Sequence, residues 1–166
     1  MKQKILFLDL DGTVRMPKSG SKFIQSPDDQ SLIPGVAPAI AKFSSYEIIG
    51  ITNQGGVAAG YKSLEDCISE QMRTMELLPA IKEINFCIDF AGKTAYRLTN
   101  QKSLILLPEG PNYRKPGPGL LLAYLELFPL FPDYAIMIGD REEDRQAAYA
   151  AGIDFMWAEI FLKNYS

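Results

Sequence analysis

The sequence contains no histidine and only two cysteines among its 166 residues. The first absence excludes a Ser-His-Asp triad, a Cys-His dyad and any histidine-ligated zinc site. Chemistry here must run on carboxylates, lysine and arginine, hydroxyls, backbone amides or a hard cation. The two cysteines, Cys67 and Cys87, form neither a disulfide framework nor a Cys-x-x-Cys pair, which favours a reducing compartment and a cytoplasmic location. A basic excess is missing too: 17 Lys and Arg stand against 20 Asp and Glu, giving a net charge of −3 and a pI near 5.0. That balance argues against broad electrostatic capture of nucleic acid or of an anionic membrane. No apolar run approaches a membrane span, and the run at residues 5–8 is too short for a signal-peptide core. Internal repeats, low-complexity segments and a visible domain boundary are also lacking. What remains, 47% apolar and 22% charged, is ordinary for a globular chain long enough to bury a core, and it predicts one domain over residues 1–166.

The stretch Lys4-Ile5-Leu6-Phe7-Leu8-Asp9-Leu10-Asp11-Gly12-Thr13-Val14 organises the rest. Four apolar residues run straight into two carboxylates spaced i, i+2. A short apolar run bounded by a turn signal reads as a buried strand, and buried parallel strands meet ligands just beyond their carboxyl ends. Two carboxylates at such a place are costly unless a positive charge compensates them, and a divalent cation does so. A calcium loop fails on spacing: it would need a ligand at Thr13, a glycine at Val14 and a glutamate at Gly20. A plain surface turn remains the competing reading of these residues taken alone.

Strands and helices alternate along the chain. Residues 15–31 form a polar loop or flap, and residues 32–45 a helix with Pro34 near its start. A strand over residues 47–51 ends in Thr52-Asn53-Gln54-Gly55-Gly56. Ser63 caps the next helix, whose apolar face is Leu64, Cys67, Ile68, Met72 and Met75 and which stops near Pro79. Residues 84–88 form a third strand, and residues 89–112 are mostly loop with a short strand or hairpin at 104–107. Arg114-Lys115-Pro116-Gly117-Pro118-Gly119 precedes a helix over residues 120–128. A fourth strand at residues 134–138 ends in Gly139-Asp140, a helix runs through Ala151 to a Gly152 cap, and a fifth strand at 153–157 places Trp157 in the core. This order predicts an α/β fold, a doubly wound parallel sheet with right-handed crossovers.

Four polar clusters then fall at element ends: Asp9/Asp11, Thr52/Asn53, Arg114/Lys115 and Asp140/Asp144. Three of them share the carboxyl edge of the sheet, where carboxylates, a lysine and a hydroxyl suit Mg²⁺ and a phosphoryl group. Taken in order, these motifs resemble the four motifs of the haloacid dehalogenase (HAD) superfamily over roughly residues 4–157. Ile51-Thr-Asn-Gln-Gly-Gly and Arg114-Lys-Pro-Gly-Pro-Gly resemble its small-cap subgroup. That subgroup includes histidinol-phosphate phosphatase, heptose-bisphosphate phosphatase and the 3′-phosphatase domain of polynucleotide kinase-phosphatases. Ser19-Gly20-x-x-Phe23 is similar to the last of these. Several relatives carry a zinc loop before the Arg-Lys-Pro motif; here only Cys87 matches, with Asp89, Pro111 and Tyr113 at the other positions, so structural zinc is not expected.

The resemblance implies a HAD-like, Rossmann-type fold without a large cap, and a phosphomonoesterase that forms an aspartyl-phosphate. It makes Asp9 the nucleophile, Asp11 the acid and base, and Thr52 and Lys115 the partners of the phosphoryl oxygens. Mg²⁺ is then held by Asp9, the Asp11 carbonyl and Asp140. Asp144 orients Lys115 or a metal-bound water, with a solvated helix-start carboxylate as the alternative. Asn53 and Arg114 are expected at the substrate, with a surface ion pair as the alternative for Arg114. The expected substrate is a small phosphomonoester of the sugar or histidinol phosphate type, and a nucleic-acid 3′ end stands second. A non-catalytic module binding a phosphometabolite or nucleotide, or a phospho-accepting receiver domain, is the rival from another class. Residues 15–31 and 55–61 should select the leaving group.

Overall fold

The computed structural model describes residues 2–110 and 112–166. Its elements follow in chain order as β1 (Lys4–Leu8), β2 (Arg15–Met16), β3 (Ser31–Leu32), α1 (Val36–Ala41), β4 (Glu47–Asn53), α2 (Leu64–Leu77), β5 (Ile81–Cys87), β6 (Ala95–Thr99), β7 (Leu104–Leu106), α3 (Gly119–Leu125), β8 (Tyr134–Gly139), α4 (Glu142–Ala151), β9 (Asp154–Trp157) and α5 (Ala158–Tyr165). Seven strands form one sheet in the order β7-β6-β5-β4-β1-β8-β9. The five strands from β5 to β9 across that order are parallel, and β6 and β7 add an antiparallel hairpin at one edge.

The strand β1 is apolar along its whole length because both its faces are covered. Leu6 and Leu8 point into a core built with α1, α2 and α5, through residues such as Val36, Ile40, Cys67 and Phe161. Ile5 and Phe7 point into a second core built with α3 and α4, through Leu120, Leu121, Tyr124 and Ala147. Helices on both faces make the sheet doubly wound. From β1 the chain moves one way to β4 and β5, then returns to place β8 on the other side. That reversal opens a crevice beyond the carboxyl end of β1.

Several elements differ from the sequence reading. The helix expected over residues 32–45 shrinks to Val36–Ala41, because Ser31–Leu32 pairs with β2 and Gly35 opens the helix at φ 89°. The 89–112 region is more ordered than its sequence suggests, since β6 and β7 pair in register with β5. Trp157 is not core: it is 38% exposed, because β9 is the outermost strand, and its ring meets Phe155 edge-on. The helix α2 follows its Ser63 cap, whose Oγ accepts the Asp66 N–H at 3.0 Å. Its fully buried residues are Cys67, Glu70, Gln71, Thr74 and Met75, three of the five polar, while Leu64, Ile68 and Met72 pack against the core partly covered.

Between β1 and β4 the chain inserts only the two-residue ribbon β2–β3 with its loop and α1, so no large cap covers the crevice. No helix among the described residues is long and apolar enough to cross a membrane.

Candidate active site

Three neighbouring strands deliver the first groups. Asp9 follows β1, Thr52 and Asn53 end β4, and Asp140 follows β8. The Asp9 N–H still donates to the Ile138 carbonyl at 3.0 Å, so the ladder fixes its backbone. The residue is 6% exposed. One carboxylate oxygen accepts Lys115 Nζ at 2.7 Å and the other accepts the Thr13 hydroxyl at 3.1 Å.

Lys115 arrives from the loop before α3 and is the hub of the site. Its ammonium donates to Asp9 (2.7 Å), Asp144 (2.6 Å) and the Ile51 carbonyl (3.3 Å), using all three protons. Burial alone would lower its pKa; Asp9 and Asp144 outweigh that and hold it protonated. Asn53, expected at the substrate, instead spends its amide on the Lys115 backbone. Its Nδ2 donates to the Lys115 carbonyl at 3.1 Å and its Oδ1 accepts the Lys115 N–H at 3.0 Å. Asp144 lies in the first turn of α4, where its second oxygen accepts the N–H groups of Asp140 and Arg141 at 3.2 and 3.1 Å. Both of its oxygens are thus engaged, one by Lys115 and the other by two backbone N–H groups, which suits it to orient Lys115.

Oxygens of Asp9, Asp140 and Asp144 lie within 4.8 Å of one another. Three carboxylates against one ammonium leave two negative charges in excess when all are ionised. Burial raises the Asp9 pKa to about 6, Lys115 opposes the rise and Asp140 adds to it. A divalent cation between Asp9 and Asp140 would remove this strain, so the donor set fits Mg²⁺. The approach of Asp140 also explains Gly12, where φ is +88° and a Cβ would collide with the Asp140 carboxylate.

Thr52 is buried, and its hydroxyl accepts from Gln54 Nε2 at 3.0 Å, which leaves its own proton to donate. The same Gln54 amide nitrogen reaches Asp11 Oδ2 at 3.2 Å. Arg15, fully buried, grips the Asp11 carboxylate through Nε (2.9 Å) and Nη2 (3.2 Å). Desolvation pushes the Asp11 carboxyl up, but the Arg15 guanidinium more than offsets it and holds the group below the usual carboxylate range. Arg114 stacks its guanidinium 4.8 Å from the Phe90 ring centroid, and its sheltered Nη1 has no hydrogen-bond partner. An unpaired buried donor of this kind suits an anion. The groove of about 350 Å³ lined by Ile68, Met72, Leu98 and Leu104 includes none of these residues.

Sequence reasoning missed Thr13, Arg15 and Gln54. Thr13 lies inside the Asp-x-Asp-Gly-Thr motif and Gln54 directly follows the Thr-Asn pair, so position pointed to both. Arg15 sits i+4 from Asp11, a spacing that allows an ion pair, but in a polar loop it reads as solvated. The positions compared with a zinc loop are otherwise employed. The Cys87 thiol donates to Asp89 at 3.4 Å and the Tyr113 hydroxyl to the Pro108 carbonyl at 2.8 Å, while Pro111 lies outside the described residues.

Known proteins share this arrangement of sequence and fold. The sequence model of the family described as polynucleotide kinase 3 phosphatase matches residues 4–129, and that of HAD-hydrolase-like proteins matches residues 112–158. The chain belongs to the HAD superfamily of phosphatases. The D-glycero-beta-D-manno-heptose-1,7-bisphosphate 7-phosphatase of Rhodopseudomonas palustris is 30% identical over 155 residues, 89% of this chain and 78% of that one. Its namesake from Mesorhizobium japonicum is 30% identical over 154 residues, 92% of this chain and 67% of that one. Among solved structures, a protein of Mesorhizobium loti described as a HAD-like phosphatase aligns with a TM-score of 0.69 at 27% identity, over 92% of this chain and 70% of that one. The D,D-heptose 1,7-bisphosphate phosphatase from B. bronchiseptica, solved with magnesium and phosphate, shares the HAD fold at a TM-score of 0.66 and 24% identity, over 92% of this chain and 78% of that one.

Proposed function

We propose that this phosphatase is a Mg²⁺-dependent phosphomonoesterase that works through an aspartyl-phosphate on Asp9, and that its substrate is a small phosphorylated metabolite of the sugar-phosphate type. The observation that carries the reading is the buried Asp9–Lys115–Asp144 chain at the open end of β1, with Thr52 beside it and Asp140 across Gly12. Without histidine, a carboxylate is the available nucleophile toward phosphorus. An Asp9 oxygen attacks phosphorus in line, and the ester oxygen leaves with a proton from Asp11; Arg15 keeps that carboxyl ionised without substrate, and the negative charge of the arriving phosphate favours its protonation before the transfer. Asp11 then takes a proton from the water that attacks the aspartyl-phosphate at phosphorus, and inorganic phosphate departs. Thr52 donates its hydroxyl proton to a phosphoryl oxygen. Lys115, aimed by Asp144, meets the charge that develops as the P–O bonds exchange. The Asp9 and Asp140 carboxylates and the Asp11 carbonyl are the groups that would hold Mg²⁺. Bound there, the ion offsets the repulsion between carboxylate and phosphate. The buried, unpaired thiols of Cys67 and Cys87 suit a cytoplasmic setting.

The sugar-phosphate choice rests on the two relatives at 30% identity, both heptose-bisphosphate phosphatases. Arg114 supports it, because its unpartnered Nη1 lies next in sequence to Lys115 and can receive a further anionic or hydroxyl group of the substrate. A nucleic-acid 3′ end is the second reading, favoured by the family match over residues 4–129 and by Phe23, which is 63% exposed with Lys22 5.3 Å above its ring. A base stacked on Phe23 would be worth about 1–3 kcal/mol. The absence of a basic excess ranks this reading second. The test compares kcat/KM on sugar mono- and bisphosphates with that on a 3′-phosphorylated oligonucleotide. Sugar phosphates are expected to win; an oligonucleotide preference of about a hundredfold, some 2.7 kcal/mol of transition-state binding, would reverse the order.

A further inference from the structure

Arg15 has no part in the reaction as described, yet it is the largest fully buried side chain of the molecule. A guanidinium loses its hydration at heavy cost when buried, and such a group is retained only where it is fully bonded. Its bonds run in two directions. Nε and Nη2 hold the two oxygens of Asp11 as a fork, at 2.9 and 3.2 Å. Nη1 reaches away from the site to Gln71 Oε1 at 2.8 Å and Thr74 Oγ1 at 2.7 Å, both fully buried on α2. Thr74 passes its own proton to Gln30 Oε1 at 2.6 Å, and Gln30 donates to the carbonyls of Pro27 and Glu70 at 2.8 and 3.0 Å. The polar stripe of α2, which no core needs, thus receives a rod running from Asp11 through Arg15 to the root of the 17–30 loop.

Asp11 is otherwise loosely sited. It lies on a turn outside the strands, 47% of its side chain is open to solvent, and its other side-chain contact is the Gln54 amide at 3.2 Å. A carboxylate on an exposed turn samples several rotamers, whereas one gripped at both oxygens by a buried, planar fork is confined to one. Proton transfer needs a donor held within hydrogen-bond reach of the leaving oxygen.

We infer that Arg15 is a positioning residue of this phosphatase: anchored on Gln71 and Thr74 of α2, it fixes the Asp11 carboxyl where it delivers its proton to the leaving group. The inference rests on the acid role of Asp11 proposed above. It gives α2 a part in positioning the acid, through Gln71 and Thr74.

The experiment measures kcat/KM with Mg²⁺ on p-nitrophenyl phosphate, whose leaving group departs readily without a proton, and on p-methoxyphenyl phosphate, whose leaving group gains far more from one. Asp11→Asn sets the reference, with a larger loss on the methoxy substrate. Arg15→Met is expected to show the same selectivity, its methoxy activity falling about tenfold or more beyond its nitro activity, within the ~10²–10⁴-fold that general acid catalysis contributes. Arg15→Lys, which can meet Asp11 or the α2 acceptors but not both, should fall between this variant and the wild type. Should Arg15→Met fail to fold, the pair Gln71→Met/Thr74→Val cuts the anchor and leaves the fork, with a smaller shift in the same direction. Equal losses on both substrates in the folded Arg15 variants, or in the anchor pair, mean a purely structural arginine and overturn the inference. If Asp11→Asn itself treats the two substrates alike, the acid reading falls and the inference falls with it.

Discussion

As the proposed nucleophile, Asp9 must be a carboxylate, yet its surroundings favour the protonated form. Its pKa in the metal-free fold is about 6, above the ordinary 3.8. The folded state therefore holds this proton more tightly than the unfolded chain does, and the stability this group contributes declines as pH rises from about 4 to about 6. A cation on the carboxylate reverses the sign above that window and competes with a proton below it. Mg²⁺ should accordingly raise Tm more at about pH 7.5 than at about pH 5; an equal or larger rise at the lower pH would remove Asp9 from the metal site. Asp11→Asn should also cost stability, roughly 1–3 kcal/mol in denaturant unfolding, since Arg15 is left without its counter-charge while solvent at the half-open Asp11 softens the loss. Residues at this scale were legible where chemistry forces a conspicuous pattern. Paired carboxylates after an apolar run, and Gly-Asp-x-x-x-Asp, have few other uses. Arg15 was not legible, because its burial depends on Gln71 and Thr74, more than fifty residues away.

At the scale of elements, the turn from β8 into α4 sets the site most tightly. Gly139 packs against Asp144 so closely that a Cβ would overlap its side chain, and Asp144 in turn aims Lys115. Gly139→Ala should displace Asp144 and lower kcat/KM on an aryl phosphate, on the order of 10²-fold for a displacement near 1 Å, while leaving a cooperative unfolding transition. Unchanged activity would show that Asp144 does not direct Lys115. The parallel strands could be read from the sequence because burial on both faces leaves uninterrupted apolar runs, as in Ile5 to Leu8 and Ala135 to Ile138. Of the hairpin β6–β7 only the second strand was read, at 104–107, because β6 mixes Arg97, Tyr96 and Thr99 among its apolar residues. The apolar face of α2 was read and packs against the core, but the polar stripe beside it was missed for a related reason: helical periodicity identifies apolar stripes, and Glu70, Gln71 and Thr74 are buried by hydrogen bonds rather than by hydrophobicity.

For the whole molecule, the reversal of strand order around β1 brings Asp9, Thr52 and Asp140 to one crevice, with Lys115 and Asp144 entering from the loop before α3 and from α4. Two cores, one on each face of the sheet, hold these strand ends in register, and the absence of a large cap leaves the crevice open to a substrate held chiefly by its phosphate. The alternation of strands and helices made this architecture readable. The identity of the leaving group was not, since the 15–31 and 55–61 segments expected to select it follow no periodic pattern. The central claim is that Asp9 carries the phosphoryl group. Rapid acid quench of the enzyme during Mg²⁺-dependent turnover of an aryl phosphate, followed by peptide mass mapping, tests it most directly. The account predicts a transient phosphoryl adduct on the peptide containing Asp9, and loss of both adduct and turnover in Asp9→Asn; an adduct on another residue, or sustained turnover by Asp9→Asn, would contradict it.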